Sequence, residues 1–425
     1  MDVLVIAILS ERDALYGQIP DALDIGGRRV ALLKTTERDL AGEVVRRAIG
    51  TFAPDGFIGV SAMASALACD VVGESPLWAD VFGDLMAEAQ AKAIVYDNDT
   101  SLARFGGLLV RTLSRADRFS AVSSRQADAL LGQLGLAGRL SKHTAGEALV
   151  EVIPCAAGSS VPATHAHVEA LRTRLGLTGA FVVLWSGSFN TWCDVDTLYD
   201  GLTQAMQRCP ELHFVATGGV VAGHDENTHK RLLGLVAAGD CGSRFHFEGW
   251  VAVSELKAYY ALADVAINLE LARYERRLGS ENRVVEWLAA SLPIVTTALS
   301  EQGEQLSAAG AVEAVPVGRA EVVADVLVAL AADPRRLADL SAAATAYASA
   351  NLDFAETAAP LLKWAQAPLR SGDAGSQPVV RIGLVSQPKT MVALLEAYVD
   401  ELGTAELIRR GGRWLWRRLW GGAAG

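Results

Sequence analysis

The sequence predicts an α/β protein built from two doubly wound, Rossmann-like domains that face a cleft, followed by a helical C-terminal segment. Three observations carry that prediction. The chain has 425 residues, too many for one ordinary hydrophobic core. Short runs rich in Val and Ile alternate with longer stretches of helical period, which is the pattern of parallel sheets covered by helices on both faces. The alternation pauses at a Ser/Pro/Ala/Thr stretch near residues 156–166 and then starts again.

In the first series the strand-like runs are DVLVIAIL (2–9), RRVALLK (28–34), DGFIGVSA (55–62), AKAIVYD (91–97), DRFSAVSS (117–124) and VEVIPCA (150–156). In the second they are FVVLWSG (181–187), LHFVATGG (212–219), RFHFEGW (244–250), DVAINLE (264–270), LPIVTT (292–297) and VEAVPVG (312–318). The expected units are therefore 1–160, 161–350, a helix over 351–370, and a linker with a basic, aromatic tail over 371–425. Helix starts are legible too. Asp333 followed by Pro334 reads as an N-cap with proline at the first turn, and Ser123 with Gln126 reads as a capping box.

Bulk properties exclude several classes. A net charge of −11 argues against nonspecific nucleic-acid binding. Five scattered cysteines without a CxxC pair give neither a disulfide framework nor a zinc site, and they fit a reducing cytoplasm. The seven histidines show no HxxxH spacing, so no metal is expected. The first residues lack the basic region and cleavage site of a signal peptide, and no apolar run reaches the ~18 residues of a membrane span.

Ligands of open parallel sheets sit beyond the carboxyl ends of the strands, so the loops there hold the candidate site. Gly187, Ser188 and Phe189 follow one strand; Gly218 and Gly219 end the next; Trp250 and Val251 follow a third. Glycine at such a turn lets backbone approach a phosphate, although an ordinary strand–turn–helix connection explains each of them equally well. The stretch SENRVVEWLAASLPIVTT (280–297) adds Glu281, Arg283 and Glu286 at the opening of an apolar, small-residue helix. Arg283 and Glu286 are one turn apart, which as a plain surface pair would be worth only a few tenths of a kcal/mol, on the order of 0.2–0.5. In the first half, Asp97, Asn98 and Asp99 follow the expected strand 91–97 and could orient hydroxyls or act as a base, or simply make an Asx turn. Glu74, Asp80 and Asp84 near an aromatic pair are also suggestive of a site, and a solvent-facing helix face explains them almost as well.

The order strand, Gly-Trp-Val, helix with two tyrosines, ADVAINL, charged loop, VVEWLAASLPIVTT resembles the nucleotide-sugar-binding domain of GT-B glycosyltransferases. It is closest in kind to the retaining family 4 enzymes of bacterial cell-surface polysaccharides, and the likeness covers roughly residues 90–368. The resemblance implies a sugar transfer from a UDP- or GDP-linked donor to a glycan or lipid-linked acceptor, with no metal and no further cofactor. It puts Glu286 on the ribose hydroxyls and Arg283 near the diphosphate, where leaving-group charge develops. Arg273, Arg276 and Arg277 are the other cations at hand, and Asp97 is the acceptor-side catalytic candidate. Leu278 stands where the family carries a first glutamate, and Ser188 and Cys193 stand where it carries a phosphate-binding Arg and Lys. Two alternatives follow: a GT-B-like binding protein with little or no catalysis, or a nucleotide-sugar 2-epimerase, which needs a histidine and acids at the cleft.

Residues 405–422 carry five Arg and three Trp against one Glu. As a helix they would set Arg410, Arg413 and Arg417 on one face and Ile408, Leu415 and Leu419 on the other. That is the pattern of a helix lying on an anionic membrane surface, and the protein is then cytoplasmic with a peripheral attachment.

Overall fold

The computed structural model describes residues 2–8, 22–25, 28–35, 40, 42–157, 163–220 and 225–376. The expected membrane-surface helix at 405–422 lies outside the described residues.

The described part of the first half forms two sheets. Strands β1 (Leu4–Ile8), β2 (Ala22–Ile25) and β3 (Arg28–Thr35) run in the order β1-β3-β2, with β2 antiparallel to β3. Strands β4 (Phe57–Val60), β5 (Leu77–Asp80), β6 (Arg118–Ala121) and β7 (Val150–Val152) make a parallel sheet in chain order. The second half is one six-stranded parallel sheet. Its strands are β8 (Phe181–Ser186), β9 (Leu212–Thr217), β10 (Phe245–Gly249), β11 (Val265–Asn268), β12 (Ile294–Thr296) and β13 (Glu313–Ala314), ordered β10-β9-β8-β11-β12-β13. The order reverses between β8 and β11, so the switch point of this sheet is the gap between their carboxyl ends.

Burial follows the strand period of two. On β8, Val182 and Leu184 enter one core with Trp287 and Ile294, while Val183 and Trp185 enter the other with Phe214 and Leu327. Helices therefore cover both faces, which is why this strand reads as an unbroken apolar run. The helix caps foreseen in the sequence are present: Asp333 accepts from the amides of Arg335 and Arg336, and Ser123 accepts from Gln126 N at 3.1 Å.

One strand is misplaced in the sequence reading. AKAIVYD is the end of a helix, Leu85–Tyr96, and the strand lies earlier, at Leu77–Asp80, where a helix face had been expected. Asp84 caps the helix by accepting from Ala87 N at 2.8 Å, and an Ala-rich stretch with no break carries it through Tyr96. Trp78, fully buried, marks β5 as a central strand.

The chain beyond residue 359 runs back to the first half. Trp364, on the helix Ala359–Gln366, packs on Trp78 with ring centroids 5.6 Å apart. Beyond it, Arg370 donates to Asp117 at 2.9 Å and to Glu74 at 2.8 Å, and Arg139 pairs with Asp373.

Candidate functional site

Three glycine turns lock together at the carboxyl ends of β8, β9 and β10. Gly187 N donates to Thr217 O at 2.9 Å, Gly218 N to Gly249 O at 2.6 Å, and Phe189 N to Gly219 O at 3.1 Å. Gly218 has φ +97°, and a Cβ there would lie 2.4 Å from Gly187 O, so no other residue fits. The segment after the first turn crosses to the switch point. Asp194 N donates to Leu269 O at 3.0 Å and Leu271 N to Trp192 O at 2.8 Å. Asp194 also caps the helix Val195–Arg208, accepting from Thr197 N at 3.1 Å.

Arg283 enters this corner from the helix Asn282–Ala289. Its Nη2 donates to Ser188 O at 2.6 Å and its guanidinium carbon lies 4.2 Å from the Trp185 ring centroid. Nη1 has no partner, and no carboxylate pairs with this side chain among the described residues. Burial pulls its pKa down from the usual arginine value, against the weaker pull of the Cys193 sulfur and Glu270. The Arg283–Glu286 surface pair does not form: Glu286, 41% exposed, takes Lys257 Nζ at 3.1 Å.

The neighbouring carboxylates are already committed. Arg276, 4% exposed, donates through Nη1 to Glu270 Oε1 at 3.0 Å, pairs with Glu275, and stacks on Trp192 at 4.6 Å. Burial opposes its charge, but Glu270 and Glu275 together outweigh burial and raise its pKa. Glu281 is buried with Oε2 accepting from Ser300 Oγ at 2.6 Å. Burial first, and then the charge of Glu270, push its carboxyl up to about 8.

Buried polar side-chain atoms without a protein partner concentrate here. Among the described residues they are Trp185 Nε1, Thr191 Oγ1, Thr217 Oγ1, both amide atoms of Asn268, Glu270 Oε2, Glu281 Oε1 and Arg283 Nη1. All sit at or just beyond the ends of β8, β9 and β11 or at the start of the Arg283 helix. Native interiors rarely leave such groups unmet, so this corner offers unmet donors and acceptors to a polar ligand.

Several expected site residues take other parts. Phe189 is fully buried, stacked on Trp185 at 4.6 Å and on His229 at 5.2 Å, so its ring holds the turn and cannot face a ligand. Asp97 follows a helix rather than a strand. It is an exposed, left-handed C-cap with φ +51°, and Asn98 and Asp99 lie in the turn before the next helix. Trp250 is 60% exposed and ties its loop to Val220 O at 2.9 Å, while Val251 packs on the core beside it. Arg273 reaches across to Ala91 O at 3.0 Å, and Arg277 is exposed.

Two residues were undervalued in the sequence. His229 packs against Gly219 and on Phe189, so a histidine does stand beside the glycine turns. Only the packing of the helix Asn227–Ala238 against the helix Val195–Arg208 brings it there, and no local motif announces it. Asp80 ends β5 and accepts from Ser120 Oγ at 2.6 Å; burial raises its pKa more than that bond lowers it. Burial raises the pKa of the Cys155 thiol, and the charges of Glu281, ahead of the Arg283 helix, and of Asp80, at the end of β5, add to that rise. Close by, Ser123 Oγ donates to Leu278 O at 2.9 Å and Arg125 N to Glu301 Oε2 at 3.0 Å.

Residues 180–333 match the family described as glycosyl transferases group 1. No curated protein matches the chain in sequence. Among solved structures, HepE of Anabaena in complex with UDP and glucose superposes with a TM-score of 0.63 at 16% identity, over 86% of this chain and 100% of that one. Sucrose-phosphate synthase of Thermosynechococcus elongatus gives 0.62 at 17%, over 86% and 88%. A UDP-forming trehalose-phosphate synthase of Burkholderia vietnamiensis gives 0.58 at 12%, over 86% and 100%. At these identities the likeness is one of fold, and the fold is GT-B.

Proposed function

We propose, for a GT-B glycosyltransferase whose group 1 domain spans residues 180–333, transfer of a sugar from a nucleoside-diphosphate donor to a glycan or lipid-linked acceptor. The observation that carries the donor half is Arg283. It is a partly buried cation with an unmet N–H and no carboxylate, set beside two glycine turns. A diphosphate supplies what that corner lacks, and it needs such a cation as the leaving-group charge grows. Glu286, half-exposed and held by Lys257, then takes the ribose hydroxyls. A UDP-linked sugar is tested first, because the HepE complex holds UDP and glucose.

On the acceptor side, Asp80 replaces Asp97. It lies at a strand's carboxyl end with Oδ1 on Ser120, which leaves Oδ2 for a sugar hydroxyl. An Asp80→Asn variant should lose one orienting hydrogen bond, worth about 1.4 kcal/mol or roughly tenfold in kcat, with UDP affinity unchanged. Equal loss of both would move Asp80 to a structural role.

Calorimetry with UDP, GDP and their sugars tests the function, followed by an assay for nucleotide release with added acceptors. Release that needs an acceptor supports transfer. Epimer interconversion without one would favour the 2-epimerase, a reading that His229 beside Gly219 keeps in play. Binding without turnover would leave a GT-B-like nucleotide-sugar-binding protein with little or no catalysis, the reading that Leu278, Ser188 and Cys193 at the family's usual positions keep open.

Membership of the retaining family 4, a role in surface-glycan synthesis and attachment through 405–422 are part of the same proposal. The five Arg and three Trp of the tail support the attachment, each Arg near an anionic surface contributing ~1 kcal/mol. No helix of the described residues is long and apolar enough to cross a membrane. Flotation with anionic liposomes should separate the full chain from a 1–404 truncation, and equal partitioning rejects the attachment.

A further inference from the structure

Glu270 and Glu281 form a buried carboxyl pair beside the Arg283 corner, and their hydrogen bonds account for all but two of four oxygens. Glu270 Oε1 is held by Arg276 at 3.0 Å, and Glu281 Oε2 by Ser300 Oγ at 2.6 Å. The oxygens left over are Glu270 Oε2 and Glu281 Oε1. The two carboxyls are within hydrogen-bond reach of each other. One proton between the leftover oxygens satisfies both; without it two anions would face each other out of water.

We propose that Glu281 is a positioning residue that holds this proton against Glu270 and thereby keeps Arg283 free for the donor diphosphate. The charges explain why. Two guanidinium groups, Arg276 and Arg283, meet three carboxyls, Glu270, Glu275 and Glu281. With the proton in place, Glu270 and Glu275 both serve Arg276, and Arg283 remains unpaired. When the proton leaves, an extra anion appears two residues from Arg283, and its attraction competes with that of the diphosphate. The proposal rests on the donor reading above.

The groups facing Glu281 come from every side. Glu270 follows β11, Arg276 and Glu275 lie on the helix Tyr274–Leu278, and Ser300 caps the helix Glu301–Ala308. Arg283 is on Glu281's own helix, and Cys155 approaches from the segment after β7, its thiol bonded to Ser280. Burial and Glu270 outweigh these cations and lift the carboxyl to about 8. Since this lies above the ordinary glutamate range, the stability it lends is complete at acid pH and is lost as pH rises through about 8.

The test compares wild type with Glu281→Gln, which keeps the shape and donates from an amide that does not titrate. UDP affinity is measured by calorimetry from about pH 6.5 to about pH 9.5, and thermal unfolding without ligand over the same range. The terminal phosphate of UDP is fully ionised across the upper half of that range, its second pKa being on the order of 6. Wild-type affinity should fall by up to about tenfold per pH unit above the midpoint, while that of the variant stays level. The wild type should also lose its stability advantage over the variant as pH rises through about 8. Equal pH dependence of both proteins in both measurements overturns the proposal. If neither UDP nor GDP binds wild type at any pH, the donor reading fails. The unfolding comparison then still decides whether Glu281 holds the proton.

Discussion

An Arg283→Met variant is expected to lose about 10²- to 10³-fold in kcat/KM for its sugar nucleotide and to keep its fold. Removing one preorganised donor from a developing negative charge typically costs that much, about 2.7–4 kcal/mol. Methionine retains the stem that lies against Trp185 and removes only the charge and the fork. Because Arg283 has no carboxylate to abandon, the substitution leaves no buried anion behind, and stability should change by less than about 1 kcal/mol. The neighbouring Arg276→Met should behave in the opposite way. It strips Glu270 and Glu275 of their shared cation and should unfold the corner. Arg283→Lys should recover only part of the rate, since an ammonium reproduces neither the planar stacking nor the fork. Steady-state kinetics together with thermal unfolding decide the matter. Kinetics within a factor of about two of wild type for Arg283→Met would remove this residue from the donor site.

The largest expected effect on stability belongs to Asp117, far from the cleft. Its carboxylate is 1% exposed and binds groups from three separate stretches of chain. Leu77 N donates to it at 2.9 Å and Arg115 at 3.1 Å, and from the returning C-terminal segment Arg370 Nε donates at 2.9 Å and Ser371 N at 3.1 Å. Asp117→Ala leaves two cations and two amides without their acceptor, so a loss of about 3–5 kcal/mol is expected. Arg370→Ala, by contrast, removes a quarter-exposed partner and should cost about 1 kcal/mol. The check is chemical denaturation of both variants, with the fluorescence of the Trp78–Trp364 pair reporting whether the returning segment has let go. An Asp117→Ala midpoint equal to that of Arg370→Ala would show that Asp117 holds the segment no more than a surface contact does.

Much of the fold was legible because it is written in local periods. Each of the six second-half strands falls within a run where one was expected. The caps at Ser123 and Asp333 were equally local, since a side-chain oxygen needs only the amides two or three residues on. The strand at Leu77–Asp80 was missed because four residues carry too little periodicity to outweigh an Ala-rich helix beginning just after them. Asp80 therefore stands at a strand's end, and Asp97 follows a helix.

The sequence by itself determined the α/β class, the restart of the pattern near residue 160, the glycine turns and the place of Arg283 and Glu286 at the opening of one helix. All of these depend on residues within a turn or two of each other. The tertiary structure alone decided which partners those residues take. Arg283 and Glu286 are a helical turn apart and could have paired, but Ser188 O and Lys257, 95 and 29 residues away, claim them. Phe189 was expected at the ligand and is stacked in the core, while His229 was passed over and stands at the turn. Glu281 was expected among the donor-binding residues, yet Ser300 holds it and burial with Glu270 raises its pKa. The reason is physical. Secondary structure is set by steric and hydrogen-bond preferences between near neighbours, whereas burial, charge state and pairing depend on which distant segments the fold packs around a side chain.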